Sequence, residues 1–191
     1  MSTQPHTYLT PEEYLAIERK AEYKSEYIDG EMYAMSGASL RHNKIVGNVV
    51  GQLFQQLLGR PCSVLPSDMK VGMPDSRKFF YPDVSVLCGE AQFYDERRDI
   101  ILNPILIVEV LSESTAAFDR GEKFESYQQL VSLQEYILIS QDKKFIQHYV
   151  RQTPESWIYT AAFGNEGFLT LPSIECTLSL QLIYDKTGEE P

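Results

Sequence analysis

The chain has 191 residues and a mass of 21.9 kDa, and its 43% hydrophobic content suits one domain over residues 1–191 with a substantial core, which argues against disorder outside the termini. Its 27 acidic residues against 17 basic ones leave a formal net charge of −10, which repels nucleic acid at long range and counts against a plain basic-patch DNA-binding module, although a bound divalent cation can offset that repulsion locally. No apolar run reaches the length of a membrane span and the N-terminus lacks the features of a signal peptide, so a cytoplasmic protein with no membrane partner is expected.

The first element is well marked. Thr10 and Glu13 stand at capping-box spacing, Pro11 takes the first helical position, and Leu9 with Tyr14 can form a hydrophobic staple, which predicts a helix over 11–22. In "SEYIDGEMYAMSG" the Asp29-Gly30 pair predicts a hairpin with Ile28 opposite Glu31 and Glu26 opposite Tyr33, so that Glu26 and Glu31 share a face. Both acids can flank a site or simply sit exposed, and Glu31 is the accessory candidate. From 39 to 58, apolar residues at 45, 46, 49, 50, 53, 54, 57 and 58 repeat at helical spacing. His42 opens that stripe, either as a partly buried cap or as a site residue.

Beyond Gly59-Arg60-Pro61 the pattern turns to strands: "CSVLPSDMKVGM", "FYPDVSVLC" and, after the charged loop "EAQFYDERRD", "ILIVEVL". "STAAFDRGEKFESYQQLV" reads as one helix with an apolar face of Phe124, Tyr127, Leu130 and Val131. Ser112, Ser114 and Thr115 have no Gly-x-Ser-x-Gly turn around them and are read as its cap, not as a serine nucleophile. "EYILIS" and "KFIQHYV" form a hairpin, and "SWIYTAAF" with "FLTL" suggests a second. Cys62, Cys88 and Cys176 are odd in number, far apart and without metal-ligand spacing, so they are expected as small buried hydrophobes with neither a disulfide nor zinc.

This order predicts a mixed α/β (α+β) domain with one central mixed sheet flanked by helices. The run from Ile105 to Leu111 is apolar on both faces, which places it centrally, and a right-handed helical crossover would set "EYILIS" parallel to it.

One residue conflicts with that run. Glu109 places a carboxylate inside the most apolar strand, where an isolated charge costs several kcal/mol or takes up a proton, so it needs a partner, a metal or a pocket. If "PDVSVL" and "ILIVEVL" are antiparallel neighbours, Asp83 at the start of one and Glu109 near the end of the other meet at one sheet edge. Strands about 4.8 Å apart allow two carboxylates to share a hard divalent cation. Asp119, Lys123 and Tyr127 are spaced four apart on one helical face, so Lys123 either points over that edge to steady a nucleophile or pairs with Asp119; Tyr127 serves the core or the site.

The ordered series "EYIDGE", "HNKIVGNVVGQL", "YPDVSVL", "IVEVLSEST" and "DRGEKFESYQQLVSLQEYILI" resembles the Uma family of the PD-(D/E)XK nuclease superfamily, over roughly residues 8 to 150. The resemblance implies a restriction-endonuclease-like fold and an endonuclease acting on DNA with Mg2+ or Mn2+. It also implies that Asp83 and Glu109 hold the metal, with the carbonyl of Val110 as a further ligand. The superfamily's lysine two residues after the acid is Leu111 here, and its role is carried to Lys123, with Lys70 as competitor. The aromatic-rich sheet and modest size suggest a homodimer, as is common in such folds. The rival expectations are a catalytically inactive nuclease-fold dimer with a binding or regulatory role, and a metal-dependent hydrolase of another phosphate ester.

Overall fold

A computed structural model describes residues 8–188. In chain order the elements are α1 (Pro11–Glu18), β1 (Ser25–Ile28), β2 (Glu31–Ala34), α2 (Leu40–Leu57), β3 (Cys62–Pro66), β4 (Lys70–Gly72), β5 (Lys78–Phe80), β6 (Val84–Cys88) and β7 (Ile100–Ile101). They continue with β8 (Leu106–Leu111), α3 (Ala116–Arg120), α4 (Glu122–Tyr127), β9 (Glu135–Ser140), β10 (Phe145–Thr153), β11 (Ser156–Phe163), β12 (Phe168–Leu171), β13 (Cys176–Ser179) and α5 (Leu180–Ile183).

Local chemistry accounts for the starts of the elements. Thr10 Oγ1 accepts from the Glu13 N–H at 3.2 Å while Glu13 Oε2 accepts from the Thr10 N–H at 2.8 Å, the reciprocal capping box. Helix α1 stops at Glu18, short of the expected residue 22, because Arg19 to Glu22 offer no apolar face to bury. Asp29 and Gly30 both take positive φ, 49° and 99°, as a two-residue hairpin turn requires, and the register sets Ile28 opposite Glu31 and Glu26 opposite Tyr33 as expected.

The mixed α+β architecture is the one expected, but the strands divide between two large sheets. The six-stranded sheet runs β11-β10-β9-β8-β6-β3 and is the anticipated central one; a five-stranded sheet, β2-β1-β5-β4-β7, lies beside it, and β12-β13 form a separate pair. Strand β8 is interior, antiparallel to β6 and parallel to β9 through α3 and α4, and all six of its residues are buried. Leu106, Val108 and Val110 face a core layer with Ile45, Val49 and Leu53 of α2. Ile107 and Leu111 face the opposite layer, with Phe80, Phe124 and Tyr127. Strand alternation therefore turns Glu109 toward α4.

Four expectations need correction. The helix over 114–131 is two short helices, because the chain bends at Gly121 (φ −109°, ψ −106°). Its cap also differs: Thr115 occupies the N-cap without a side-chain cap bond, and Ser112 Oγ instead accepts from the Thr115 N–H at 3.2 Å. Strand β11 pairs with β10, and β12 pairs with β13 instead of with β11, since the residues after Phe163 leave the large sheet. Cys62 and Cys88, expected to be unbridged, stand directly opposite each other on β3 and β6 and are disulfide-bonded; only Cys176 is a free buried thiol. Sequence spacing does not reveal cross-strand adjacency.

The end of α1 is tied to the loop before β7 by Arg19. Its Nε and Nη2 donate to both oxygens of Asp99 at 2.9 and 2.6 Å, and Nη2 also donates to Asp95 at 2.7 Å. Burial works to raise the Asp99 pKa, but the Arg19 bonds and Lys70 outweigh it and hold the carboxyl below its ordinary 3.8. A depressed carboxyl contributes stability that is present above the unfolded pKa and is lost as pH falls through the folded one. Asp99→Asn should therefore cost about 1 kcal/mol at neutral pH, a value discounted for the third of the Asp99 side chain left exposed, with the difference shrinking below pH 3.8 in urea titrations.

Candidate active site

The site is assembled at the junction of the two large sheets. The chain leaves β5 in one sheet, bends at Asp83 and enters β6 in the other, so Asp83 lies beside the end of β8. The β6–β8 ladder stops at Val84 opposite Val108, and the Val110 N–H beyond it donates to Asp83 Oδ2 at 2.7 Å. Asp83 Oδ1 lies 2.9 Å from His42 Nε2, which the first turn of α2 delivers. The Asp83 N–H points to Glu109 Oε2 at 3.4 Å, so the two acids converge as their strand positions suggested.

Glu109 Oε1 faces the opposite way. It accepts from Tyr127 OH at 3.2 Å and lies 3.0 Å from Lys123 Nζ. The same ammonium is 3.0 Å from Glu26 Oε1 of β1 and 3.7 Å from Asp119 Oδ1 of α3. Glu26 Oε1 is itself held by the Tyr81 N–H at 3.0 Å. The i,i+4 spacing of Asp119 and Lys123 survives the bend at Gly121, so Lys123 pairs with Asp119 and at the same time contacts Glu109 at the strand end.

Three carboxylates, those of Glu26, Glu109 and Asp119, thus contact one buried ammonium, with Asp83 adjoining Glu109, and this imbalance governs the electrostatics. Burial, followed by the nearby charges of Asp119, Asp83 and Glu26, raises the Glu109 pKa well above the usual carboxylate value despite Lys123. Burial also raises Asp119. Burial opposes the Lys123 charge, but Glu109, Glu26 and Asp119 outweigh it and push the ammonium pKa well above its ordinary value. A cluster with surplus negative charge in a desolvated place has the chemistry of a site for a hard cation. Among the described residues, no group of three or more His, Cys, Asp or Glu side chains has metal-holding geometry. The two acids that adjoin at the strand ends, Asp83 and Glu109, are hard oxygen donors, the ligand type that divalent cations of this kind take.

Of the sequence candidates, Asp83, Glu109, Val110, His42, Lys123 and Tyr127 come together. Two do not. Lys70 lies 3.0 Å from both Glu18 and the Tyr81 hydroxyl and 3.3 Å from Asp99, in a neighbouring buried cluster that Tyr81, whose N–H holds Glu26, joins to the site. Glu31 lines an open surface groove with Tyr8, Ile28, Asp29, Tyr33 and Arg77, and Tyr33 donates to it at 2.6 Å. The acid that reaches the site is Glu26. The two share a face, but β1 is interior to its sheet and β2 is the edge, so only Glu26 is buried against the second sheet. The signal was the alternation with Ile28, which faces the same core layer as Leu111. Leu111 itself is buried in that layer.

A profile of the Uma2 family, described as "Putative restriction endonuclease", matches residues 11–182. The chain is 39% identical over 159 residues to "Uncharacterized protein sll1609" of Synechocystis sp., covering 83% of this chain and 90% of that one. It is 35% identical over 180 residues to "Uncharacterized protein slr1290" of the same organism, covering 94% and 93%. A solved structure, a "putative nuclease belonging to DUF820" from Anabaena variabilis, superposes with a TM-score of 0.77 at 18% identity, covering 94% of this chain and 99% of that one, which is a likeness of fold. No helix among the described residues is long and apolar enough to cross a membrane. With the profile spanning most of its length and relatives above one-third identity, the chain belongs to the Uma2 family of restriction-endonuclease-like proteins.

Proposed function

We propose that the protein is a divalent-metal-dependent endonuclease that hydrolyses phosphodiester bonds of DNA. The observation that carries this reading is the convergence of three carboxylates on one buried ammonium beside Asp83. Asp83, Glu109 and the carbonyl of Val110 would hold Mg2+ or Mn2+, which when bound supplies Lewis-acid stabilisation of phosphate charge and a more acidic water. Lys123 stands 3.0 Å from the Glu109 carboxylate, where its charge offsets that developing on a scissile phosphate. Glu26 and Asp119 hold the lysine in place, Tyr127 orients Glu109, and His42 with the Val110 N–H orients Asp83. A bound cation also lessens the repulsion between DNA and a chain of net charge −10.

Purified full-length chain incubated with supercoiled plasmid and Mn2+ should nick it, and chelation should stop the reaction. Calorimetric titration with Mn2+ should give heat that Asp83→Asn removes. No cleavage together with no carboxylate-dependent heat would overturn the proposal. One rival has an observation of its own. Leu111 fills the usual lysine position with a buried apolar side chain and Lys123 is wholly engaged by acids, which favours a nuclease fold kept for binding or regulation; that reading expects the protein to be inert in both assays.

A further inference from the structure

The six-stranded sheet has two edges of different character. At one, β3 is short and ends in Pro66, which has no N–H to offer a further strand. At the other, β11 runs for eight residues, "SWIYTAAF", without a charge or a proline, and its register with β10 is regular from Trp157 to Phe163. Ile158 and Tyr159 are each 50% exposed and Phe163 is 73% exposed. Natural sheets blunt such an edge with lysine, proline or a bulge; β11 has neither lysine nor proline, and the irregularity in its ladder with β10 is confined to its first residue, Ser156.

We infer that β11 pairs antiparallel with β11 of a second copy of this chain, joining the two six-stranded sheets across a two-fold axis. The strand is complementary to itself. A two-fold perpendicular to the sheet keeps each face on its own side, so partners must have the same parity, and centring it on Thr160 sets Ile158 opposite Ala162 and Tyr159 opposite Ala161, large against small. Trp157 then meets Phe163, an aromatic pair on one face.

Charges flank the strand and do not interrupt it. Glu155, exposed, precedes one end of the strand, while the Gly164 N–H bonds to the Lys144 carbonyl at 3.0 Å and so places exposed Lys144 at the other end. Antiparallel pairing brings the Glu155 end of one copy to the end of its partner that carries Lys144 and also exposed Glu166. For a chain of net charge −10, the eight uncharged residues of β11 are a surface along which two copies can meet without like-charge repulsion.

Sedimentation velocity of the full chain should show a species of twice the 21.9 kDa chain mass. Thr160→Lys and Thr160→Glu each place like charges face to face at the two-fold and should each sediment as monomers, whereas their mixture should restore the dimer. A monomeric parent, or a dimer that neither substitution disturbs, would overturn the inference. If either variant fails to fold, hydrogen exchange on the parent decides. Amides of β11 that face away from β10 should be protected at high protein concentration and lose protection on dilution; fast exchange at both concentrations would count against the pairing.

Discussion

Glu109→Gln is expected to lower metal-dependent cleavage by about a thousandfold or more, equivalent to about 4 kcal/mol of transition-state stabilisation, while the metal-free variant melts no lower than the parent. The two halves of this expectation share one cause. Glu109 is only 3% exposed and lies among three other acids, so its charge is held against both burial and repulsion. A carboxyl whose folded pKa is raised contributes stability that is fully present below the unfolded value and is lost as pH rises through the folded one. Glutamine removes that dependence and keeps an oxygen for Tyr127 and Lys123, while Glu26 and Asp119 still hold the ammonium. The melting temperature of the variant relative to the parent should therefore climb as pH rises above 4.5, the ordinary value for this group. Undiminished cleavage would remove Glu109 from the metal site. A variant less stable at every pH would make it a purely structural partner of Lys123.

Lys123→Met should be severe in the opposite sense, destabilising the fold by about 3–5 kcal/mol, as expected when one partner of a buried charge cluster is deleted. The ammonium is the one cation among the three carboxylates that contact it, and methionine leaves them uncompensated. Because its folded pKa is raised, the contribution of Lys123 is fully present below its ordinary 10.5 and is lost only as pH rises through a still higher value, so the loss should be constant across neutral pH. Adding Glu26→Gln to Lys123→Met should recover part of the stability by removing one orphaned charge, a positive coupling readable from denaturant midpoints. If the single variant unfolds at the same urea concentration as the parent, the ion cluster is not what holds α4 against the sheets.

Wherever side-chain periodicity and local caps suffice, the sequence carried the structure. The Thr10 box, the Asp29-Gly30 turn, the apolar stripe of α2 and the two-faced run of β8 follow from interactions between near neighbours, and they appear where expected. The antiparallel placement of Asp83 beside Glu109 was legible too, because a loop joins the two strands and Glu109 was conspicuous in an apolar run. What sequence left open depends on contacts between residues far apart in the chain. Alternation puts Glu26 and Glu31 on one face, but depth within the sheet, which buries the first and leaves the second at an edge, comes from β5 pairing with β1. Lys70 and Lys123 look alike in sequence; packing gives one to Glu18 and Asp99 and the other to Glu109. The split into two sheets at Asp83 and the bond between Cys62 and Cys88 are decided in the same way, by the packing of distant segments, since no local preference records which strands meet.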